Sequence, residues 1–291
     1  MADFTGRDQT GTIRLRVGCE MGFVPSLPTA AVIQVMPSRQ PGLEIVEETL
    51  ETTPAAEFHE YTDMYGNRCR RWTMPPGDST LRYDAVVQVS AAQDPAHPSA
   101  PELQPVDLPD EALVYTLPSR YCVSDVLMDD AWRLFGSVEP GWGRVQAICD
   151  WVHQNIRFDH DGSNPLTTAA DTYQNRAGVC RDFAHLSVTF CRALNIPARY
   201  AFGYLPDIGI DTHDAMDFAA WFEVYLGDRW WTFDARNNEP RIGRAVIGRG
   251  RDALDVAMVT TYGRVGLPGF KVWADEVPTP SADSPNGPAR S

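Results

Sequence analysis

The sequence predicts an α+β protein in two parts: an all-β sandwich over residues 1–90, and a mixed domain over 117–277 in which a helix that starts at a cysteine packs on an antiparallel sheet. Three observations predict this. Short runs of alternating hydrophobicity fill the first ninety residues, helical periodicity begins only beyond Ser124, and aromatic and β-branched runs return after Pro197. A proline-rich stretch, 91–116, reads as a linker, and a Pro- and Ser-rich tail, 278–291, is expected to be disordered. At 291 residues and 43% hydrophobic, the chain has the material to bury cores of ordinary size.

In the first part, Ile13, Leu15, Val17 and Cys19 alternate with polar residues, and strand-like runs follow at 31–36, 43–50, 58–62, 68–74 and 85–89. Turn signals such as Met64-Tyr65-Gly66-Asn67 and Pro75-Pro76-Gly77 separate them. Several short strands with a turn between each are the signature of a sandwich. Arg68, Arg70, Arg71 and Trp72 form either a binding face or, more simply, a strand edge protected by charge. Between the parts, Pro95, Pro98, Pro101, Pro105 and Pro109 stand among small and acidic residues.

The second part opens with helices. Ser124 is a candidate N-cap for a helix through Val126, Leu127, Ala131, Leu134 and Phe135 that Gly136 ends. After Pro140, the positions Val145, Ile148, Cys149, Val152 and Ile156 repeat with helical spacing. A third helix starts at Cys180, just after the local break at Gly178, with Phe183, Leu186, Phe190 and Leu194 on one face and Asn195 and Pro197 at its close. A thiol at a helix start sits among unpaired amides and the positive end of the dipole, both of which favour the nucleophilic thiolate. The plain reading of a single such cysteine is a small apolar residue.

Two further segments, 218–226 and 229–234, read as strands joined by a Gly227-Asp228 hairpin turn. That register pairs Leu226 with Arg229, Trp221 with Asp234, and Ala219 with Arg236, and sets Asp234 diagonal to position 219.

Gly178-Val179-Cys180-Arg181-Asp182-Phe183-Ala184-His185-Leu186, then Ile196-Pro197-Ala198-Arg199-Tyr200, then Asp217-Phe218-Ala219-Ala220-Trp221, then Trp231-Thr232-Phe233-Asp234-Ala235-Arg236 together resemble the core of the bacterial transglutaminase-like proteins. The resemblance implies a papain/transglutaminase-like core, with Cys180 as nucleophile and Asp234 as the acid that orients a histidine. It also implies an N-terminal β-domain, a thiol amidase or peptidase acting through a Cys thioester, and an ATP-grasp protein as partner in making or removing peptide tags. Neither a metal nor an organic cofactor is implied.

The histidine is missing. Where the family pattern has His-Ala-Trp, this chain has Ala219-Ala220-Trp221. An alanine can neither take the thiol proton nor protonate a leaving amine. Three readings stay open: an introduced knock-out, a natural non-catalytic protein that binds a peptide or protein partner, and substitution by another imidazole, of which His213 is nearest in sequence. The expected function is accordingly a thiol amidase scaffold that is inactive or strongly impaired, or a natural pseudoenzyme.

Secondary candidates follow from position. Gln174 stands six residues before Cys180 and is a candidate oxyanion donor by analogy with papain-like enzymes, although the Cys180 amide is the safer one. Tyr204 and Trp221 are candidates to line an acyl pocket, or else strand residues of the core. Arg236 is expected to pair with Asp234 in the absence of the histidine. Asp182 suits the first turn of its helix, or pairs with Arg181 or Arg199, and His185 points away from Cys180 as a packing residue. The basic stretch 241–251 either holds a carboxylate or phosphate or pairs internally with Asp252 and Asp255; it has no Walker lysine.

Composition excludes several classes. A net charge of -14 argues against nucleic acid, and there is no polybasic patch for a membrane surface. Lys271 is the only lysine, which argues against self-crosslinking. The start of the chain lacks a leader pattern and no long apolar run occurs, so a cytoplasmic protein is expected. Six dispersed cysteines without a C-x-x-C pair read as reduced thiols, and the histidines do not cluster with them into a metal site.

Overall fold

A computed structural model of the chain describes residues 11–210 and 215–278. Its strands and helices, in chain order, begin with β1 (Thr12–Pro25), β2 (Thr29–Ile33), β3 (Leu43–Thr53), β4 (His59–Thr62), β5 (Arg68–Met74) and β6 (Ser79–Ser90). Then come α1 (Asp110–Leu113), α2 (Met128–Phe135), α3 (Trp142–Asn155), β7 (Arg157–Phe158), α4 (Ala169–Asn175), β8 (Ala177–Gly178) and α5 (Cys180–Ala193). The chain closes with β9 (Ala198–Tyr204), β10 (Ala219–Leu226), β11 (Arg229–Phe233), β12 (Ala245–Gly250), β13 (Val259–Thr261), β14 (Val265–Gly266) and β15 (Phe270–Val277).

Alternation along β1 buries Leu15, Val17, Cys19, Met21 and Phe23 on one face, because every second side chain of a strand points the same way. β1 pairs antiparallel with β6 from Thr12↔Ser90 to Phe23↔Ser79, and β3 pairs with the far side of β6. A second antiparallel sheet runs in the order β13-β2-β5-β4. On its β4–β5 edge Arg68 and Arg70 are tied to Glu48 and Glu60, each at 2.8 Å, as expected of an edge protected by charge.

Two boundaries differ from the sequence reading. The stretch 259–277, assigned there to the second domain, supplies strands to the first: β15 pairs with β1 from Arg14↔Val277 to Met21↔Phe270, β14 adds to the end of β1, and β13 pairs with β2. The physical reason is edge protection, since β1 and β2 would otherwise present a row of unpaired backbone groups. Nor is 91–116 a free linker. Asp94 N donates to Arg241 O, Gly227 N and Trp142 N donate to Pro101 O and Ala100 O, and Arg144 is salt-bridged to Glu102 at 3.1 Å with both side chains largely buried. The stretch ends in α1 and a short 3-10 turn. It is a strap docked on the second half of the chain.

The helical layer follows the predicted periodicities except at one start. Ser124 lies buried in a turn, its N–H donating to Cys122 O, and α2 begins later, behind Leu127. Gly136 caps its end. α5 packs on β9 and β10 of an antiparallel sheet ordered β11-β10-β9-β12, with Phe183, Leu186 and Phe190 in one cluster with Phe222, Val224 and Phe233. The other core runs from β1 and β6 through Tyr204, Phe218 and Ile247, so the sandwich and the sheet bearing position 219 share buried side chains. Among the described residues, no helix is long and apolar enough to cross a membrane.

Candidate active site

Cys180 is fixed from its N-terminal side. α4 ends at Arg176 in the left-handed conformation, and the next two residues form β8, parallel to β7. Asp182, fully buried in the first turn of α5, accepts the Val179 N–H at 2.9 Å, which satisfies a backbone group at the helix start and places a negative charge where the dipole favours it. Asp182 also meets Arg181, and it lies so close to Gly178 that a Cβ there would come within 2.7 Å of the Asp182 Cβ. The Gly178 and Asp182 of the motif are thus two halves of one contact that sets the direction in which Cys180 enters the helix.

The thiol opens into a cleft of about 320 Å³ whose walls include Phe158, Val179, Leu205, Met216 and Phe218, with Ala219, Arg236, Asn237 and Arg241 beside it. Cys180 is half-buried, and its Sγ donates to Phe218 O at 3.8 Å. Burial, followed by the nearby Asp217 carboxylate, pushes the thiol up to about 11. This reverses the sequence expectation of a thiolate. Desolvation of the charged form outweighs a helix-terminus effect, which is worth at most about 2 kcal/mol.

Position 219 sits at the start of β10, paired with Gly203 of β9, and packs with Ala201, Trp221 and Val246. The hairpin ladder holds the predicted Leu226↔Arg229 pairing but ends at Phe222↔Phe233. Trp221 and Ala219 therefore have no ladder partners in Asp234 and Arg236. The chain leaves the sheet because Asp234 folds it into a turn, its Oδ1 accepting the N–H groups of Arg236 and Asn237, both at 3.1 Å.

The predicted Arg236–Asp234 pair does not form. Arg236 instead lays its guanidinium 4.3 Å over the Phe158 ring and donates to Asn237 Oδ1. The partner of Asp234 is Arg244, whose Nη2 is 2.9 Å from Asp234 Oδ2, while Asn237 Nδ2 donates to the same oxygen at 2.8 Å. Arg244 is also held by Asp94 of the strap at 2.8 Å and lies 4.8 Å over the Trp221 ring. Burial would raise the Asp234 carboxyl, but Arg244 and Asn237 outweigh it and hold it below its ordinary value. A carboxylate has about four acceptor positions, and these four bonds fill them.

The remaining candidates separate. Gln174 is exposed on α4 and is not among the residues lining the cleft. Tyr204 is fully buried against the sandwich, donating to Val35 O at 2.8 Å, and Trp221 is buried on the Arg244 side of the sheet; neither lines the cleft. His185 is buried, stacks on Tyr121 and accepts from Ala253 N, and burial holds it well below its ordinary value, so it is a neutral packing residue. His213 lies outside the described residues. In the stretch 241–251, Arg241 pairs with Asp207, Arg244 with Asp94 and Asp234, Arg249 with Glu223, and Arg251 with Asp255. Asp252 caps backbone instead, at Tyr121 and Leu254. The sequence reading missed Asn237 and Arg244 at the carboxylate, Asp94 behind Arg244, and Phe158, His160 and Asp217 in the cleft. The parallel pairing Phe158↔Gly178, which brings 158–160 beside Cys180, spans twenty residues and carries no local signal.

The core model of the transglutaminase-like superfamily matches residues 133–235, which include Cys180, Ala219 and Asp234. The crystal structure of a candidate cysteine protease from Cytophaga hutchinsonii is 32% identical and superposes with a TM-score of 0.85, covering 94% of this chain and 93% of that one. An uncharacterized protein of Mycobacterium leprae is 24% identical over 84% of this chain and 91% of its own length. Another, of Mycobacterium tuberculosis, is 28% identical over 72% of each. With the cysteine at its helix start, the acid after its hairpin and the sandwich in front of them, the chain belongs to the transglutaminase-like superfamily.

Proposed function

We propose that the Cys180 cleft receives a peptide or carboxamide carbonyl and that acyl transfer there is absent or strongly impaired, so that the chain acts as a binding member of its superfamily. The observation that carries this reading is the saturated Asp234. All four of its bonds go to Arg236 N, Asn237 N, Asn237 Nδ2 and Arg244 Nη2, which leaves no acceptor for an imidazole.

The chemistry points the same way. Thioester formation needs a thiolate, and a thiol held at about 11 is ionised in only on the order of one molecule in 10⁴ at neutral pH. The departing amine needs a proton, and Ala219 has none to give. The Cys180 amide, in the first turn of α5, is still a suitable donor to a bound carbonyl, so recognition outlives turnover.

The test is the rate of Cys180 alkylation by iodoacetamide against pH, with Cys180→Ser to subtract the other thiols. The expected profile stays slow through neutral pH and rises toward pH 11, and Ala219→His moves it downward. A reactive thiol with a pKa below about 8.5 in the unaltered chain would show that another group activates Cys180. His160, which lines the cleft, would then be the next residue to replace.

A further inference from the structure

The charged groups of the cleft are not arranged at random. Arg236 and Arg241 both line it. Arg236 is half-buried and rests on the Phe158 ring, which fixes the plane of its guanidinium; among the described residues, that group's one hydrogen bond is to a neutral amide, Asn237 Oδ1 at 3.0 Å. Of the five N–H donors of an arginine, most are left for something else. Arg241 is only 4% exposed and uses Nη2 for Pro206 O and Asp207 Oδ1, while its Nε–H is buried with no partner among the described residues. A buried guanidinium with a donor to spare is costly unless an acceptor meets it.

We propose that the cleft is built for a ligand that carries a carboxylate, held by Arg236 with Arg241 behind it, next to the carbonyl seated at Cys180: an acidic peptide. This rests on the preceding reading of the cleft as a peptide site.

The acidic groups on the walls do not compete for the arginines in the way their number suggests. Asp207 is already committed to Arg241, and Asp217 bends back to accept its neighbour's Phe218 N–H. Burial pushes the Asp217 carboxyl up from its ordinary value, while the Cys180 thiol, pushed up to about 11, stays protonated and adds no negative charge against an incoming carboxylate. The chain as a whole carries -14, which repels anions at long range. Discrimination in favour of an acidic ligand must therefore be local, and Arg236 is the cation of the cleft without a carboxylate partner among the described residues. A planar guanidinium fixed on a ring suits bidentate binding of a carboxylate, for which a lysine is no substitute.

The carboxylate can come from a side chain or from a C-terminus, and three probes separate the sources: acetyl-Glu-Glu-Glu amide, acetyl-Gln-Gln-Gln amide, and acetyl-Gln-Gln-Gln with a free C-terminal acid. Each is titrated calorimetrically into the full chain, and its protection of Cys180 from iodoacetamide at pH 9 is measured in parallel. The expected result is that at least one acid probe protects Cys180 and binds tenfold or more tighter than the neutral amide. Arg236→Gln removes that difference, and Arg236→Lys restores it only in part. If all three probes bind and protect equally, and Arg236→Gln changes none of them, the carboxylate proposal is wrong while the peptide site stands. If none binds or protects, both fail. The comparison among probes on the unaltered chain does not depend on any variant folding.

Discussion

Arg244 Nη2 and Asp234 Oδ2 stand 2.9 Å apart with both side chains nearly sealed from solvent, and the same guanidinium reaches Asp94 of the docked strap. Breaking a buried pair from one side strands a charge, which costs about 3–5 kcal/mol, whereas removing both partners together is far milder. Arg244 thus fills the Asp234 carboxylate and at the same time pins the strap to the sheet.

Asp234→Asn is accordingly expected to lower the unfolding free energy by about 3 kcal/mol, at the low end because Asp94 still neutralises Arg244. Arg244→Met strands two carboxylates and should cost more. Urea denaturation at neutral pH measures both. A loss below about 1 kcal/mol for Asp234→Asn would mean that the pair is not the buried lock described above.

What the sequence disclosed, and what it hid, divides along the range of the interactions. Cys180 at a helix start and the Leu226↔Arg229 hairpin were legible because a glycine break, a helical repeat and a Gly-Asp turn are encoded within a few residues. The register beyond Phe222↔Phe233 was not, since Asp234 leaves the ladder to bond the N–H groups of Arg236 and Asn237, and extrapolating a strand cannot foresee its end. Arg244 was out of reach for the same reason, being one of several arginines in a basic run with nothing local to say which would turn inward. The strap was misread because a proline-rich stretch has the same composition free or docked. Its docking rests on carbonyls such as Ala100 O and Pro101 O and on Glu102 meeting Arg144. The strands at 259–277 were visible as strands, but which edge they would cover was not.

Gly178 and Asp182 make a prediction about the thiol. A methyl group at 178 would meet the Asp182 side chain at 2.7 Å, closer than any real contact allows, so Gly178→Ala must displace the carboxylate that accepts Val179 N–H. Loss of such a cap costs about 1–2 kcal/mol. Asp182→Gly should cost at least as much, since it also puts a glycine in the first turn of α5, and the double variant less than the two together, because without the Asp182 Cβ the methyl has room. Thermal unfolding of the four proteins gives the coupling, and strictly additive losses would show that the two positions do not share one contact.

Glu223 carries the acid sensitivity of the sheet. It is 5% exposed on β10, between Arg199 at 2.5 Å and Arg249 at 2.8 Å. Burial alone would raise its carboxyl, but Arg249 and Arg199 outweigh burial and bring it down from 4.5 to about 2. A carboxyl whose folded value is depressed contributes stability above its unfolded value and loses it as pH falls through the folded one, so the window runs from about pH 4.5 down to about 2. At roughly 1.4 kcal/mol for each tenfold change in proton affinity, about 3 kcal/mol is at stake. Glu223→Gln leaves the two arginines facing each other without their carboxylate and should be less stable than the unaltered chain at pH 7. The difference should shrink steadily as the pH is taken from 4.5 toward 2, because the unaltered chain then loses what the variant never had. Urea titrations at pH 7, 4, 3 and 2.5 follow it, and a difference that stays constant across that range would place the acid-labile charge elsewhere.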